Sequence, residues 1–202
     1  MLELRSHAGF SLVELLVGVA VLAMLLALGL PSMGDYLANT KVRALANNLV
    51  VSLQFARTEA IRQNGGVDLV LTTDTPSDAA AASPTASTTG PNWMVRSLGG
   101  TTSTYSLLEG RTAADGSQRA GGGSPVVISS SLGGSATLAF NGLGATVPAG
   151  TSATFSFSNP SGGNCASAGG PIRCLRVQVS PGGQIRLCDP AVGAATDPRH
   201  CN

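Results

Sequence analysis

The sequence predicts an α+β chain in which one long N-terminal helix leads into a β-rich domain. Two observations carry this. An apolar run from Gly9 to Leu30 is followed by apolar residues at three- and four-residue steps, which is the period of a helix. After Gly66 the period changes to alternation, which is that of a strand.

The apolar run is about 20 residues long, enough to cross a bilayer core as a helix. Glu14 sits near its start, and nothing basic lies in the rest of the run. A charged residue inside a membrane segment costs roughly 2.5 to 3.5 kcal/mol on insertion scales. Glu14 therefore needs a partner from another chain or from a newly made terminus. An ordinary secretory signal, with Ala27-Leu28-Gly29 as its cleavage site, fits less well, because its apolar core is only about 7 to 15 residues. A plain single-span anchor explains the length but gives Glu14 no role.

Pro31 is expected to kink the helix. Beyond it, Val42, Leu45, Leu49, Leu53, Ala56 and Ala60 form one apolar stripe. Lys41, Arg43, Asn47, Asn48, Gln54, Arg57 and Arg62 lie largely off it. Asn64-Gly65-Gly66 is a helix stop. The pattern predicts one helix over residues 10–64, about 80 Å long at 1.5 Å per residue.

Candidate strands are Val67 to Thr72, Trp93 to Leu98, Ser103 to Leu108, Val126 to Ser130, Ala136 to Phe140, Ala153 to Ser158, Ile172 to Val179 and Gln184 to Cys188. In the seventh, Arg173, Leu175, Val177 and Val179 share one face, and Cys174, Arg176 and Gln178 the other. Ser180-Pro181-Gly182-Gly183 is a turn signal that joins the last two strands as a hairpin. Asp74 to Asn92 and Gly110 to Pro125 are low in complexity and are expected to be mobile surface loops.

Net charge is +1 and charged residues are 11%, so no basic field exists to hold nucleic acid by charge alone. Twenty-six glycines suit short strands and loops and argue against a helical enzyme core. No Gly-x-Ser-x-Gly, phosphate loop or metal-spaced cluster occurs, so neither catalytic residues nor a cofactor or metal site is expected. His200 is a lone tail histidine. Arg57, Glu59 and Arg62 fit a solvated helix edge with local ion pairs better than an interaction face. Trp93, the single tryptophan, is expected in the core.

Cys165, Cys174, Cys188 and Cys201 all follow an export segment, and an even count there indicates periplasmic disulfides. Three connectivities are possible. Cys165–Cys174 with Cys188–Cys201 is preferred, because each pair closes a short loop containing Gly or Pro. Zinc is disfavoured by the absence of C-x-x-C spacing.

Gly9-Phe10-Ser11-Leu12-Val13-Glu14-Leu15 resembles the class III signal of type IV pilins and type II secretion pseudopilins. The resemblance implies that prepilin peptidase cuts between Gly9 and Phe10 and methylates Phe10. It implies that Glu14 is the assembly carboxylate, paired with the terminal amine of a neighbouring subunit. The implied segments are a leader at 1–9, a transmembrane helix at 10–31, its amphipathic continuation at 32–64 and a periplasmic β-rich domain at 65–202. The implied partners are other pilin or pseudopilin subunits, prepilin peptidase, an inner-membrane assembly platform and the lipid bilayer.

A second resemblance spans most of the remaining chain. Ala56-Arg57-Thr58-Glu59-Ala60-Ile61-Arg62-Gln63-Asn64, Trp93-Met94-Val95, Phe140-Asn141-Gly142-Leu143-Gly144, and the hairpin around Arg173 to Cys188 resemble the GspH/FimT pseudopilin and minor pilin family. It implies a long helix packed on a β-sandwich of two small antiparallel sheets. The implied role is a minor subunit of a type IV pilus or a type II secretion pseudopilus; the terminal cysteines favour the pilus by analogy. The alternative is DNA binding for natural transformation. Some minor pilins of this kind use a Gly-Arg-x-Arg element, which here is Gly183-Gln184-Ile185-Arg186. Arg173, Arg176, Arg186 and Arg199 are the candidate contacts, opposed by Asp189 and Asp197.

Overall fold

The computed structural model describes residues 11–98, 104–112, 126–134 and 136–201, with residues 26–32 described by their backbone alone. Helix α1 (Leu12–Gln63) runs 52 residues, about 78 Å at 1.5 Å per residue. Helical backbone continues through Pro31. Its second half buries Val42, Leu45, Leu49, Leu53, Ala56 and Ala60, the stripe that the three-four spacing predicts, together with Ala38 and Ala46. Each fully buried leucine contributes roughly 1.5 to 3 kcal/mol. Asn64 ends the helix in the left-handed region at φ 48°, a conformation that asparagine tolerates better than most residues.

The chain then forms nine strands among the described residues. They are β1 (Val67–Thr72), β2 (Asn92–Leu98), β3 (Tyr105–Arg111), β4 (Val127–Ser130), β5 (Thr137–Phe140), β6 (Thr146–Val147), β7 (Ala153–Ser158), β8 (Leu175–Val179) and β9 (Ile185–Cys188). Two antiparallel sheets result, one ordered β3-β2-β1-β5-β6 and one ordered β4-β7-β8-β9. Val67, Leu69, Leu71, Trp93, Val95 and Phe140 of the first sheet share one core with Ile128, Phe155, Phe157, Leu175, Val177 and Val179 of the second and with the stripe of α1. One helix thus completes the core of both sheets.

Three local departures from the expected elements have physical causes. Strand β3 ends at Arg111 rather than Leu108, because the ladder with β2 shifts between Val95 and Arg96 and continues past Glu109. Strand β8 begins at Leu175 rather than Ile172. The Asn39 side chain of α1 donates to the Pro171 carbonyl (3.2 Å) and accepts from the Arg173 N–H (2.6 Å), holding these residues on the helix. The segment Asp74 to Asn92 is an ordered strap, which corrects its expected reading as a mobile loop. It contains helix α2 (Asp78–Ala82), capped by Ser77, whose hydroxyl accepts from the Ala80 N–H at 3.1 Å. Ala81 is buried and its carbonyl accepts from Arg96 Nη1 at 2.8 Å. Residues 113–125 of the second expected loop lie outside the described residues.

Among the described residues, the apolar start of α1 from Leu12 to Leu25 touches little else in the chain. Ten large apolar side chains from Leu12 to Leu25 are each more than half exposed. Among the described residues no helix is long and apolar enough to cross a membrane; of the expected span at 10–31, side chains are described only for 11–25.

Candidate functional site

Gly9 and Phe10, the expected cleavage and methylation positions, lie outside the described residues. Glu14 lies in the first turn of α1, where Ser11 is the N-cap. The Ser11 hydroxyl accepts from the Glu14 N–H at 3.1 Å, and Glu14 Oε2 accepts from the Ser11 N–H at 3.5 Å. This is a capping box, which satisfies two backbone donors that a helix start otherwise leaves open. Ser11-x-x-Glu14 is legible in the sequence as such a box. Glu14 therefore has a local role besides the one expected of it. Its carboxylate borders an apolar hollow of about 320 Å³ along Leu15, Gly18, Val19 and Leu22.

At the other end of α1, three of the resembling segments meet. Arg57 Nε donates to the Gly144 carbonyl at 3.0 Å. A Cβ on Gly142 would lie 2.5 Å from Asn64 Oδ1, so the β5–β6 turn sits directly on the helix cap. A Cβ on Gly183 would lie 1.8 Å from the Gly144 oxygen, and Gly183 has φ +75°. Only glycine fits there. The Thr146 N–H donates to the Pro181 carbonyl at 3.0 Å and closes the junction. Helix end, β5–β6 turn and β8–β9 turn thus form one joint that ties the two sheets to α1.

Glu59 in this helix segment bonds Arg62 and Gln63. The hydrogen bond from Arg62, then that from Gln63, lowers its carboxyl to a pKa of about 2. The ion pair is local, as expected, but the edge is not solvated throughout: the Glu59 side chain is only 11% exposed, and Arg57 reaches the Gly144 carbonyl instead. Trp93 is fully buried, and its Nε1–H donates to Ser52 Oγ on α1 at 2.9 Å. Ser52 donates to Glu109 Oε1 at 2.9 Å, which also accepts from Arg111 Nε at 2.8 Å. The sequence marks Trp93 as core but gives no sign of this relay. On the opposite face of the first sheet, Asp68 lies beside the buried Arg96 at 3.5 Å, and Arg96 stacks 3.7 Å from the Tyr105 ring centroid. Burial raises the Asp68 carboxyl above its usual range, against the opposing pull of Arg96 and of a hydrogen bond from Tyr105.

The arginines named for nucleic acid do not share one free surface. Arg186 Nη2 donates to the carbonyls of Pro198 (3.1 Å) and His200 (2.9 Å). Arg199 pairs with Asp197 at 2.8 Å, and its hydrogen bond lowers the Asp197 carboxyl to about 2. Arg173 pairs with Asp189 at 3.1 Å. Arg176 is exposed on the outer face of β8, and Gln184 is exposed beside the turn. Arg186 thus fastens the tail rather than presenting its charge.

The structure joins Cys165 to Cys174 and Cys188 to Cys201, and none of the cysteines is free. The second bridge holds the tail on β9, together with the hydrogen bond from Asp189 N–H to the Arg199 carbonyl at 2.7 Å. His200 Nδ1 lies 2.7 Å from the Val192 carbonyl, a structural contact. Among the described residues no group of three or more His, Cys, Asp or Glu is placed to hold a metal.

Comparison with known proteins places this architecture. No curated protein sequence is significantly similar to the chain. The type IV minor pilin FimU of Pseudomonas aeruginosa shares the fold at 18% identity and a TM-score of 0.50, over 73% of this chain and 88% of FimU. The minor pseudopilin EpsH of the Vibrio cholerae type 2 secretion system is 15% identical at a TM-score of 0.49, over 75% of this chain and 99% of EpsH. Residues 4–30 match the prokaryotic N-terminal methylation motif. Residues 45–183, from the buried stripe of α1 to the turn at Gly183, match the type II transport protein GspH, and the chain belongs to that family.

Proposed function

We propose that the chain is a minor pilin-like structural subunit of a type IV pilus or a type II secretion pseudopilus, and that it helps start or assemble the filament. The observation that carries this reading is the unpartnered stretch of α1 from Leu12 to Leu25. Ten large apolar side chains between Leu12 and Leu25 lie mostly exposed. At roughly 1.5 kcal/mol or more each when buried, they represent on the order of 15 kcal/mol of unrealised burial. Such a surface demands cover, first by lipid and then by the helices of neighbouring subunits. The methylation motif at 4–30 fits this sequence of environments.

In this reading prepilin peptidase removes residues 1–9 and methylates Phe10. Residues 10–31 hold the chain in the inner membrane, 32–64 continue the helix, and 65–202 form the periplasmic domain, where the two disulfides find an oxidising compartment. The assembly platform and other pilin or pseudopilin subunits then draw the helix into the filament. Glu14 offers its carboxylate to the terminal amine of a neighbour. Its capping bond to Ser11 is long, at 3.5 Å, and leaves the other carboxylate oxygen free for that exchange.

Mass spectrometry of the membrane-extracted chain should find an N-methylated Phe10 terminus; a terminus near residue 30 would refute the processing step. Glu14→Gln separates the two roles of the residue, because glutamine keeps the capping box and removes the charge. Membrane insertion should persist while filament incorporation falls. Incorporation equal to the parent chain would remove Glu14 from the assembly mechanism.

A further inference from the structure

Beside α1, and away from the glycine joint, a cleft of about 310 Å³ opens between Tyr36 and Arg43 on the helix and Arg173, Leu175 and Asp189 at the edge of the β8–β9 hairpin. It continues as a hollow of about 390 Å³ past Arg43 and Arg173 to Leu187 and Arg199. We propose that this cleft is a docking slot for a carboxylate-bearing segment of a neighbouring protein subunit.

Three guanidinium groups from three separate elements line the slot: Arg43 from α1, Arg173 from the segment before β8, and Arg199 from the tail. Two carboxylates stand against them: Asp189, which lines the slot, is buried and held by Arg173, and Asp197, in the tail, pairs with Arg199. Arg43 is exposed and has no hydrogen-bond or ion-pair partner among the described residues. Arg173 and Arg199 keep 50% and 64% of their side-chain surface exposed while paired. The excess positive charge of the slot is therefore that of Arg43, whose guanidinium is unoccupied and lines both hollows.

The frame around these groups is fixed. Asn39 clamps Pro171 and Arg173 to the helix, and the Cys188–Cys201 bridge fixes the end of β9, next to Asp189, to the tail that carries Arg199. Guanidinium forks match carboxylates bidentately, and a fixed frame lowers the ordering cost of binding.

The same observations select a protein segment over other anions. A nucleic-acid backbone gains affinity from many phosphate contacts, whereas this slot offers three cations, two of them already paired with Asp189 and Asp197. Leu175, Leu187 and the exposed Tyr36 supply apolar wall, which suits an acidic peptide with apolar neighbours. Lipid headgroups are out of reach, a step that rests on the membrane reading above. Arg43 lies 13 helical residues beyond Leu30, about 20 Å of rise, whereas the headgroup layer is roughly 5 to 8 Å deep.

The test uses the full chain in detergent micelles and fluorescence anisotropy of labelled, acetylated hexaglutamate, with hexaglutamine as the neutral counterpart. Hexaglutamate should bind and hexaglutamine should not. Arg43→Gln should weaken binding about five- to tenfold, the scale of one charge-assisted contact at a partly exposed site. Arg176→Gln, which removes an exposed arginine from the outer face of β8, should leave it unchanged. An unaltered thermal transition of Trp93 fluorescence shows that each variant is folded. Equal binding by Arg43→Gln, or an equal loss in Arg176→Gln, overturns the proposal. So does tighter, Arg43-dependent binding of a short DNA duplex or of phosphatidylglycerol vesicles, because the slot is then not a protein site. Peptide binding is measured without filament assembly, so its failure leaves the N-terminal processing and Glu14 experiments untouched.

Discussion

Gly183→Ala should destabilise the folded domain by about 3 to 5 kcal/mol. The new Cβ would lie 1.8 Å from the Gly144 oxygen and 3.0 Å from the Gly144 carbonyl carbon and from Arg57 Nε. Most of the opposing atoms are backbone, so no rotamer change relieves the clash. Alanine also meets the left-handed penalty at φ +75°, roughly 1 to 2 kcal/mol. To clear the oxygen, the β8–β9 turn must move by more than 1 Å. That movement strains the bond from Thr146 N–H to the Pro181 carbonyl at 3.0 Å and the bond from Arg57 Nε to the Gly144 carbonyl at 3.0 Å. Each contributes about 0.5 to 1.5 kcal/mol. Gly182→Ala is the internal control, because this preceding residue has nothing within 4 Å of its Cβ position and no positive φ; it should change stability by less than about 0.5 kcal/mol. Urea unfolding of the full chain in detergent, followed by the fluorescence of the buried Trp93, measures both. A loss below about 1 kcal/mol for Gly183→Ala, or equal losses for the two variants, refutes the joint as the reason for glycine at this position.

Two further outcomes follow from the polar groups. Ser52→Ala should cost about 1 to 3 kcal/mol and shift Trp93 emission, because it strands the buried Nε1–H and removes a donor from Glu109; a variant with unchanged midpoint and spectrum would show that the relay is dispensable. Glu59 is held at about 2 against 4.5 for the free group, so its contribution is complete above pH 4.5 and is lost as pH falls from there through about 2. Glu59→Gln should flatten the part of the acid stability profile between those values, and an unchanged slope would assign the acid sensitivity elsewhere.

The helix was legible because its two signals are local. Residues at three- and four-residue steps fix the buried face, and Asn64-Gly65-Gly66 supplies the left-handed stop. Strands β1 and β7 were legible to the residue for the same reason. Strand β3 was displaced because its end depends on a register shift opposite Val95 and Arg96, which no period encodes. Helix α2 was missed because five residues are too few to hold a helix alone. Its Ser77 cap and alanine run become a helix only against β3 and Arg96. Glu14 was legible as a charge in the wrong place, yet its spacing from Ser11 also spelled a capping box. The separate attachments of the arginines are not legible, because their partners are chosen by folding. Asp189, just after β9, reaches Arg173, just before β8, and the tail carbonyls that meet Arg186 are held beside β9 by the Cys188–Cys201 bridge.

The terminal hairpin shows why a motif must be divided before its function is inferred. Gly183-Gln184-Ile185-Arg186 resembles a nucleic-acid element through its glycine and its last arginine. Packing against Gly144 already requires the glycine, so its presence says nothing about DNA. The arginine already serves two tail carbonyls, so replacing it would loosen the tail whether or not nucleic acid binds. Gln184 alone is exposed and free of such duties. The element as it stands is accounted for by the architecture of the joint and the tail. Any nucleic-acid role has to be decided at position 184, where this chain carries a neutral side chain.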